Sequence, residues 1–310
     1  MPRFRLALFC VSGLSMLLGS PGVAQEATRA VSNLSDASRQ TIQALKPLPS
    51  PSSGADSGET LRLGSGDSSH PLQRAMAMAQ EHLDYIQQHV RDYRCQLVKQ
   101  ERLEGKLRPH ELIDVKCRSR RVQDGEMLVP LSLYMVWTSP NDLTGREVLF
   151  IENENRGDLL VRKGGTRNAF LNLWVEPNSS MAMRDNRYPI TEFGFENMLV
   201  RLLQVGQEEL QYSDCKVKYL DGVRIENRPA FGIEVRHESY RDYFRFHIAR
   251  IFIDRELRVP VHFESWDWPA TAQSEPILLE RYRYRDIELN VGLEDQDFDR
   301  LNPAYGFRKD

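Results

Sequence analysis

The chain has 310 residues, a formal net charge of −3, and 41% hydrophobic and 27% charged residues. That is the balance of an ordinary globular protein, and it supplies no excess positive charge to draw nucleic acid or an anionic membrane surface. Beyond the N-terminus no apolar stretch approaches the ~20 residues needed to span a bilayer, which excludes a protein built of membrane-spanning helices.

The first 24 residues read as a secretory signal peptide. Arg3 and Arg5 form a positive start, Leu6 to Leu18 is an apolar run, and Gly22-Val23-Ala24 places small residues before a cut after Ala24. The run is too short to serve as a membrane anchor. Cys10 follows Phe9 in mid-run, whereas a lipidated cysteine closes the apolar region behind a small residue. Residues 25–70 are rich in Ser, Gly, Pro and Asp, as in KPLPSPSSGADSGE, and bury too little to offset chain entropy. They are expected to be a disordered leader. Residues 71–310 are then a single domain in the periplasm or cell envelope.

Pro71 to Arg91 predicts a helix, with Ser69 as N-cap and an apolar stripe of Leu72, Ala75, Met76, Ala79, Leu83, Ile86 and Val90. His82 and His89 on it are seven apart, too far for a metal pair. From Tyr93 the period becomes two. Folding the chain about residue 106 sets Cys95 opposite Cys117, Leu97 opposite Val115 and Lys99 opposite Ile113. Cys95 and Cys117 are therefore a candidate disulfide in an oxidising compartment, or else two buried thiols. Cys95, Cys117 and Cys215 are an odd count, so at least one thiol stays free.

Further strands are expected over Leu131–Trp137, Glu147–Glu152 and Asp158–Arg162. Arg162-Lys163-Gly164-Gly165-Thr166 lacks phosphate-loop spacing and reads as an inter-strand loop. Residues 169–189 are irregular, and Phe193–Gln207 predicts a second helix with Phe195, Met198, Leu199, Leu202 and Leu203 on one face. Strands return at about Cys215–Tyr219, Arg228–Arg236, Phe244–Asp254, Val259–Trp266 and Leu278–Leu289, with turns at Asp221-Gly222 and Asp254-Arg255. The order helix, strands, helix, strands has no βαβ rhythm. It predicts an α+β fold with a large curved antiparallel sheet.

No motif spells out an activity. Arg281, Arg283 and Arg285 alternate with Tyr282 and Tyr284, which reads as a strand with one charged face, since Glu280, Asp286 and Glu288 dilute the charge. His237, His247 and His262 lie on late strands without an evident acidic second shell for a metal. Trp266 and Trp268 at a strand end either cap the core or offer rings that stack on sugar or meet lipid. Asp185, Arg187 and Glu192 are the charged residues beside the irregular segment, where a hydrolase would have to place its machinery; GxSxG and HExxH are absent.

The segments DYRCQLVKQER, GREVLF and FLNLWVEPNSSMAMRDNRYPITEFGFENM, with the closing LNVGLEDQDFDRLNPAYGF, resemble an exported bacterial domain of unknown function, the one numbered 1571 and met mainly in planctomycete-type genomes. Its best markers here are Arg187 to Thr191 and Asp297 to Phe307. The helix-then-hairpins layout is also similar to the LolA-type lipoprotein carriers. That resemblance implies a curved antiparallel half-barrel with helices packed on its concave face. Such a fold makes an apolar groove, whose expected lining is Leu97, Val115, Leu133, Met135 and Trp137 from the sheet, with Phe195 and Leu199 from the lid. The expected function is non-catalytic binding of a hydrophobic ligand, lipid, lipoprotein or envelope protein, with no cofactor, metal or nucleic acid. The alternatives are a scaffold module whose groove is filled, and an envelope hydrolase.

Overall fold

The structure is a computed structural model and describes residues 70–165 and 171–307. The expected signal peptide, nearly all of the leader and the Ser69 cap lie outside the described residues.

Helix α1 (Leu72–His89) buries Leu72, Ala75, Met76, Leu83 and Ile86, the stripe its periodicity predicts. His70 serves its first turn: the Leu72 N–H donates to His70 Nδ1 at 3.2 Å. Strands β1 (Asp92–Leu103), β2 (Lys106–Leu107) and β3 (Glu111–Arg118) follow, then a small hairpin of β4 (Arg121–Gln123) and β5 (Glu126–Val129). Next come β6 (Ser132–Ser139), β7 (Glu147–Ile151), β8 (Leu159–Arg162) and β9 (Asn172–Val175). The one-turn helix α2 (Ser180–Met183) and the helix α3 (Phe195–Glu209) lead to β10 (Lys216–Ile225), β11 (Arg228–Arg236), β12 (Ile248–Asp254), β13 (Pro260–Asp267) and β14 (Ile277–Leu289).

One twelve-stranded sheet runs in the order β10-β11-β12-β13-β14-β1-β3-β6-β7-β8-β9, with β2 as an extra on β1. Every pair is antiparallel. β9 and β10 are free edges, so the sheet is open. Two meanders meet where β14 lies beside β1, a pairing that joins Leu97 to Tyr284 and Glu101 to Glu280.

The hairpin register differs from the expected one. Cys95 pairs with Val115, Leu97 with Ile113 and Cys117 with Tyr93. The turn is centred on Glu104-Gly105, both at positive φ (49° and 76°), the conformation of a two-residue turn that suits glycine. That moves the fold point from residue 106 and slips the pairing by two. A slip of two keeps every side chain on its face, so the inward set is unchanged while the cysteine pairing is lost. Cys95, Cys117 and Cys215 are free and buried. Burial pushes the Cys117 thiol up to about 12, although a hydrogen bond with Tyr93 pulls the other way. In the last meander, Asp221-Gly222 is a bulge within β10 rather than a turn; the turn is Glu226-Asn227, again both at positive φ (48° and 64°).

The sheet is covered on both faces. Against one, α1 and α3 pack with Leu97, Val115, Leu133, Val261 and Tyr284 in a common core. Phe195 stacks on Tyr93 at 4.3 Å and meets Tyr284 edge-on at 5.0 Å. Against the other, the C-terminal tail brings Leu293, Phe298 and Phe307 onto Tyr134, Leu149 and Leu160. Tyr305 stacks on Tyr134 at 3.7 Å, and the Gly306 N–H donates to the Glu147 carboxylate. β6 is therefore buried on both sides, which is why SLYMVW reads as a run of apolar residues rather than an alternation.

Candidate functional site

The helices do not fill the whole of their face. A cavity of about 700 Å³ opens over β1, β3, β6–β9 and part of β13 and β14, roofed by residues 177–194 and one face of α3. Its floor is apolar: Leu97, Ile113, Met135, Trp137, Val148 and Val161 all point into it. A second cavity of only about 80 Å³ lies where α1 and α3 pack on β11–β13. The two share Leu202, Val205, Phe246 and Phe263. The volume of the larger one falls within the ~300–1,000 Å³ of pockets that enclose small organic ligands.

Of the seven expected groove residues, Leu97, Met135 and Trp137 line this cavity. Val115, Leu133, Phe195 and Leu199 instead lie within the packed core; Leu199 also borders the small cavity. Val115 and Leu133 face the same side as the others but sit further along the strands, in the core that Phe195 and Leu199 of α3 complete.

Along each strand the cavity face changes from apolar to charged. On β1 the inward series Leu97, Lys99, Glu101 passes from one to the other, as does Tyr284, Tyr282, Glu280 on β14. Glu101 and Glu280, each 4% exposed, are directly opposed across the two strands. Two carboxylates in that position repel unless they are partnered. The Tyr282 hydroxyl stands between them, 2.5 Å from Glu101 Oε1 and 3.1 Å from Glu280 Oε2. Glu280 also accepts from the hydroxyls of Tyr188 (3.0 Å) and Ser265 (2.8 Å) and lies 3.5 Å from Arg187 Nε. The Arg187 backbone N–H donates to Glu101 Oε2 at 3.1 Å. Lys99 Nζ lies 3.4 Å from Glu101 Oε2 and donates to Asn186 Oδ1 at 2.6 Å. Burial pushes the Tyr282 phenol well above its ordinary value, and the nearby carboxylates add to the shift. It is a donor at any physiological pH.

This network fixes the irregular segment to the sheet. Asp185 contributes a backbone carbonyl 3.4 Å from Lys99 Nζ, Arg187 bonds as above and to the Arg102 carbonyl, and Glu192 is ion-paired with Arg201. The three residues named for a hydrolase thus hold a loop in place. Lys99, Glu101, Glu280 and Tyr282 were not singled out from sequence, although the alternation of β1 places two charges at inward positions and was a signal for them.

The late histidines do not converge. His237 Nε2 lies 3.3 Å from Glu209 Oε2, His247 Nδ1 donates to the His237 carbonyl, and His262 Nε2 lies 3.2 Å from Glu264 Oε2. Among the described residues no group of three or more His, Cys, Asp or Glu side chains could hold a metal ion. No helix among them is long and apolar enough to cross a membrane.

Residues 90–307 match the family described as Protein of unknown function (DUF1571), and the chain belongs to that family. None of the curated proteins matches the chain. Among solved structures it is similar to a DUF1329 family protein from Desulfovibrio piger at 11% identity, over 74% of this chain and 98% of that one, with a TM-score of 0.37. An outer membrane lipoprotein-sorting protein domain from Vibrio parahaemolyticus is similar at 12% identity over 72% and 95% of the two chains, with a TM-score of 0.35. A LolA superfamily protein from Nitrosomonas europaea is similar at 9% identity over 71% and 97%, with a TM-score of 0.29.

Proposed function

We propose that this DUF1571 protein is exported to the cell envelope and there binds, without catalysis, an acyl chain carried by a lipid or a lipidated partner. In this reading the sheet is a half-barrel, α1 and α3 lie on its concave face, and the rest of that face is the binding surface. The observation that carries the reading is the cavity of about 700 Å³ floored by Leu97, Ile113, Met135, Trp137, Val148 and Val161. Apolar surface removed from water contributes roughly 25 cal/mol per Å², and an acyl chain about 0.8 kcal/mol per buried methylene, so such a floor favours a chain over water.

A scaffold with a filled groove fits the part of the sheet between α1 and α3, where only about 80 Å³ is left, better than the part under residues 177–194.

The test is native mass spectrometry of the protein purified from its own envelope, paired with solvent extraction. A stoichiometric adduct released by extraction supports the proposal. A clean apo mass, unchanged after incubation with lipids and lipopeptides, sinks it.

A further inference from the structure

The cavity's cations fall into two groups. Lys99 and Arg187 are engaged with Glu101 and Glu280, Arg201 with Glu192, and Arg245 with Glu208. Arg146, Lys163 and Arg184 also line the cavity, yet among the described residues no carboxylate pairs with any of the three. Arg146 lies over the Trp137 ring at 5.7 Å, and Lys163 and Arg184 are exposed.

Arg146 and Lys163 are neighbours. The β7–β8 ladder pairs Val148 with Val161 and Glu147 with Arg162, so one step on it brings Arg146 opposite Lys163. Both stand two residues from a valine that faces the cavity, and therefore face it too. The backbone holds them there. A Cβ on Gly164 would stand 2.3 Å from the Leu143 carbonyl oxygen and 2.5 Å from the Arg146 nitrogen, and the Gly165 N–H donates to the Thr144 carbonyl at 2.9 Å. The loop after β8 is thus pressed onto the turn before β7. Two like charges opposed across a ladder are unfavourable in the empty protein, and an anion between them removes the repulsion.

The geometry points to an anion site at the mouth of the cavity, formed by Arg146 and Lys163 with Arg184 on the same lining: the ligand is an acyl chain ending in an anion. Its head sits on the two cations, and its tail runs inward over Val148, Val161 and Met135. The inference rests on the acyl-binding reading above and adds the chemistry of the head. The occupant follows from charge complementarity. The buried carboxylates Glu101 and Glu280 take up the charges of Lys99 and Arg187, although Arg187 Nε itself has no hydrogen-bond partner. The cations at the mouth have no carboxylate partner among the described residues and can take one.

The experiment titrates the intact protein calorimetrically with dodecanoate and with dodecanol, both below micelle formation, at low and high salt. It repeats the titrations on the R146Q/K163Q double variant. Wild type is expected to bind dodecanoate at least about tenfold tighter than dodecanol, as charge-assisted bonds in a partly desolvated site should give. High salt should shrink that preference, and the double variant should lose it while still binding dodecanol. Retained dodecanol binding shows that the variant's pocket is intact, and the salt series needs no variant at all. Equal affinity for the two probes in wild type, or a preference that survives in the variant, overturns the anion site and leaves the acyl pocket standing. Binding of neither probe by wild type overturns both.

Discussion

Tyr282→Phe isolates the polar half of the site. The substitution keeps the ring and removes only the hydroxyl that stands between Glu101 Oε1 and Glu280 Oε2. A hydrogen bond to a charged group contributes about 1.5–3 kcal/mol, and a buried charge stripped of its partner costs more. Here one hydroxyl, with a single proton to donate, lies within hydrogen-bond reach of two carboxylates, nearer to Glu101, each 4% exposed and directly opposed. Glu280 keeps the Tyr188 and Ser265 hydroxyls, and Glu101 keeps the Arg187 N–H, so the penalty is partial. The expected loss is about 2–4 kcal/mol, or roughly 5–15 °C in melting temperature for a domain of this size. It would be read from urea midpoints and thermal unfolding by circular dichroism. Adding Glu101→Gln to the variant removes one of the two charges and offers an N–H toward Glu280, so the pair should recover more than half of the loss. A Tyr282→Phe loss under about 0.5 kcal/mol, or a double variant no better than the single, would refute the claim that the hydroxyl holds the two carboxylates together.

Val161→Trp fills the floor of the larger cavity from a half-buried position; it should lower acyl-chain affinity at least about tenfold while shifting stability by under about 1.5 kcal/mol. Gly164→Ala forces a Cβ against backbone atoms at 2.3 and 2.5 Å; the expected cost is about 1–3 kcal/mol in urea unfolding, and a neutral result would mean the two loops separate freely. Burial works to raise the carboxyls of Asp254, Glu264 and Asp297, but Arg228, His262 with Arg281, and Lys116 outweigh it and hold all three below their ordinary values. A depressed folded value means that the unfolded chain binds more protons. The stability these groups contribute is therefore complete above the ordinary values of 3.8 and 4.5 and is lost as pH falls below them. Urea midpoints should fall from about pH 5 downward to about pH 3, and Arg228→Gln should flatten part of that fall.

What could be read from sequence follows from what is local. α1 and α3 declared themselves by a stripe at spacings of three and four, because period is set within one element. The slip of two in the β1–β3 hairpin was invisible because it leaves every residue on its face. At Asp221-Gly222 the residue types of a turn served a bulge, while Glu226-Asn227, a weaker signal, made the turn. The site was harder still. Glu101 meets Glu280 only because β14 returns beside β1, and no hairpin rule joins strands so distant in the chain. Leu97 and Leu133 are the same residue type on the same face. One lines the cavity and the other lies under α3, a difference set by where the helix ends.

The open half of the sheet has a geometric cause. Eleven strands lie side by side in the main path. At the ~4.8 Å strand spacing they span on the order of 50 Å along the sheet. Two helices packed side by side at ~8–10 Å cover about 20 Å of it. α1 and α3 are the two long helices among the described residues, and they pack against each other rather than spreading apart. Most of the remaining face must be covered by something else. Residues 177–194 cover part of it, tied to the Lys99–Glu101–Tyr282–Glu280 network at one end of the strands, and the cavity lies beneath them. The charges of that network are matched within the protein, and its bonds tie residues 186–188 to β1 and β14 beside the cavity floor. A sheet this wide, two helices this close together and a roof tied to the strands by a polar network leave an apolar surface that the described residues do not close.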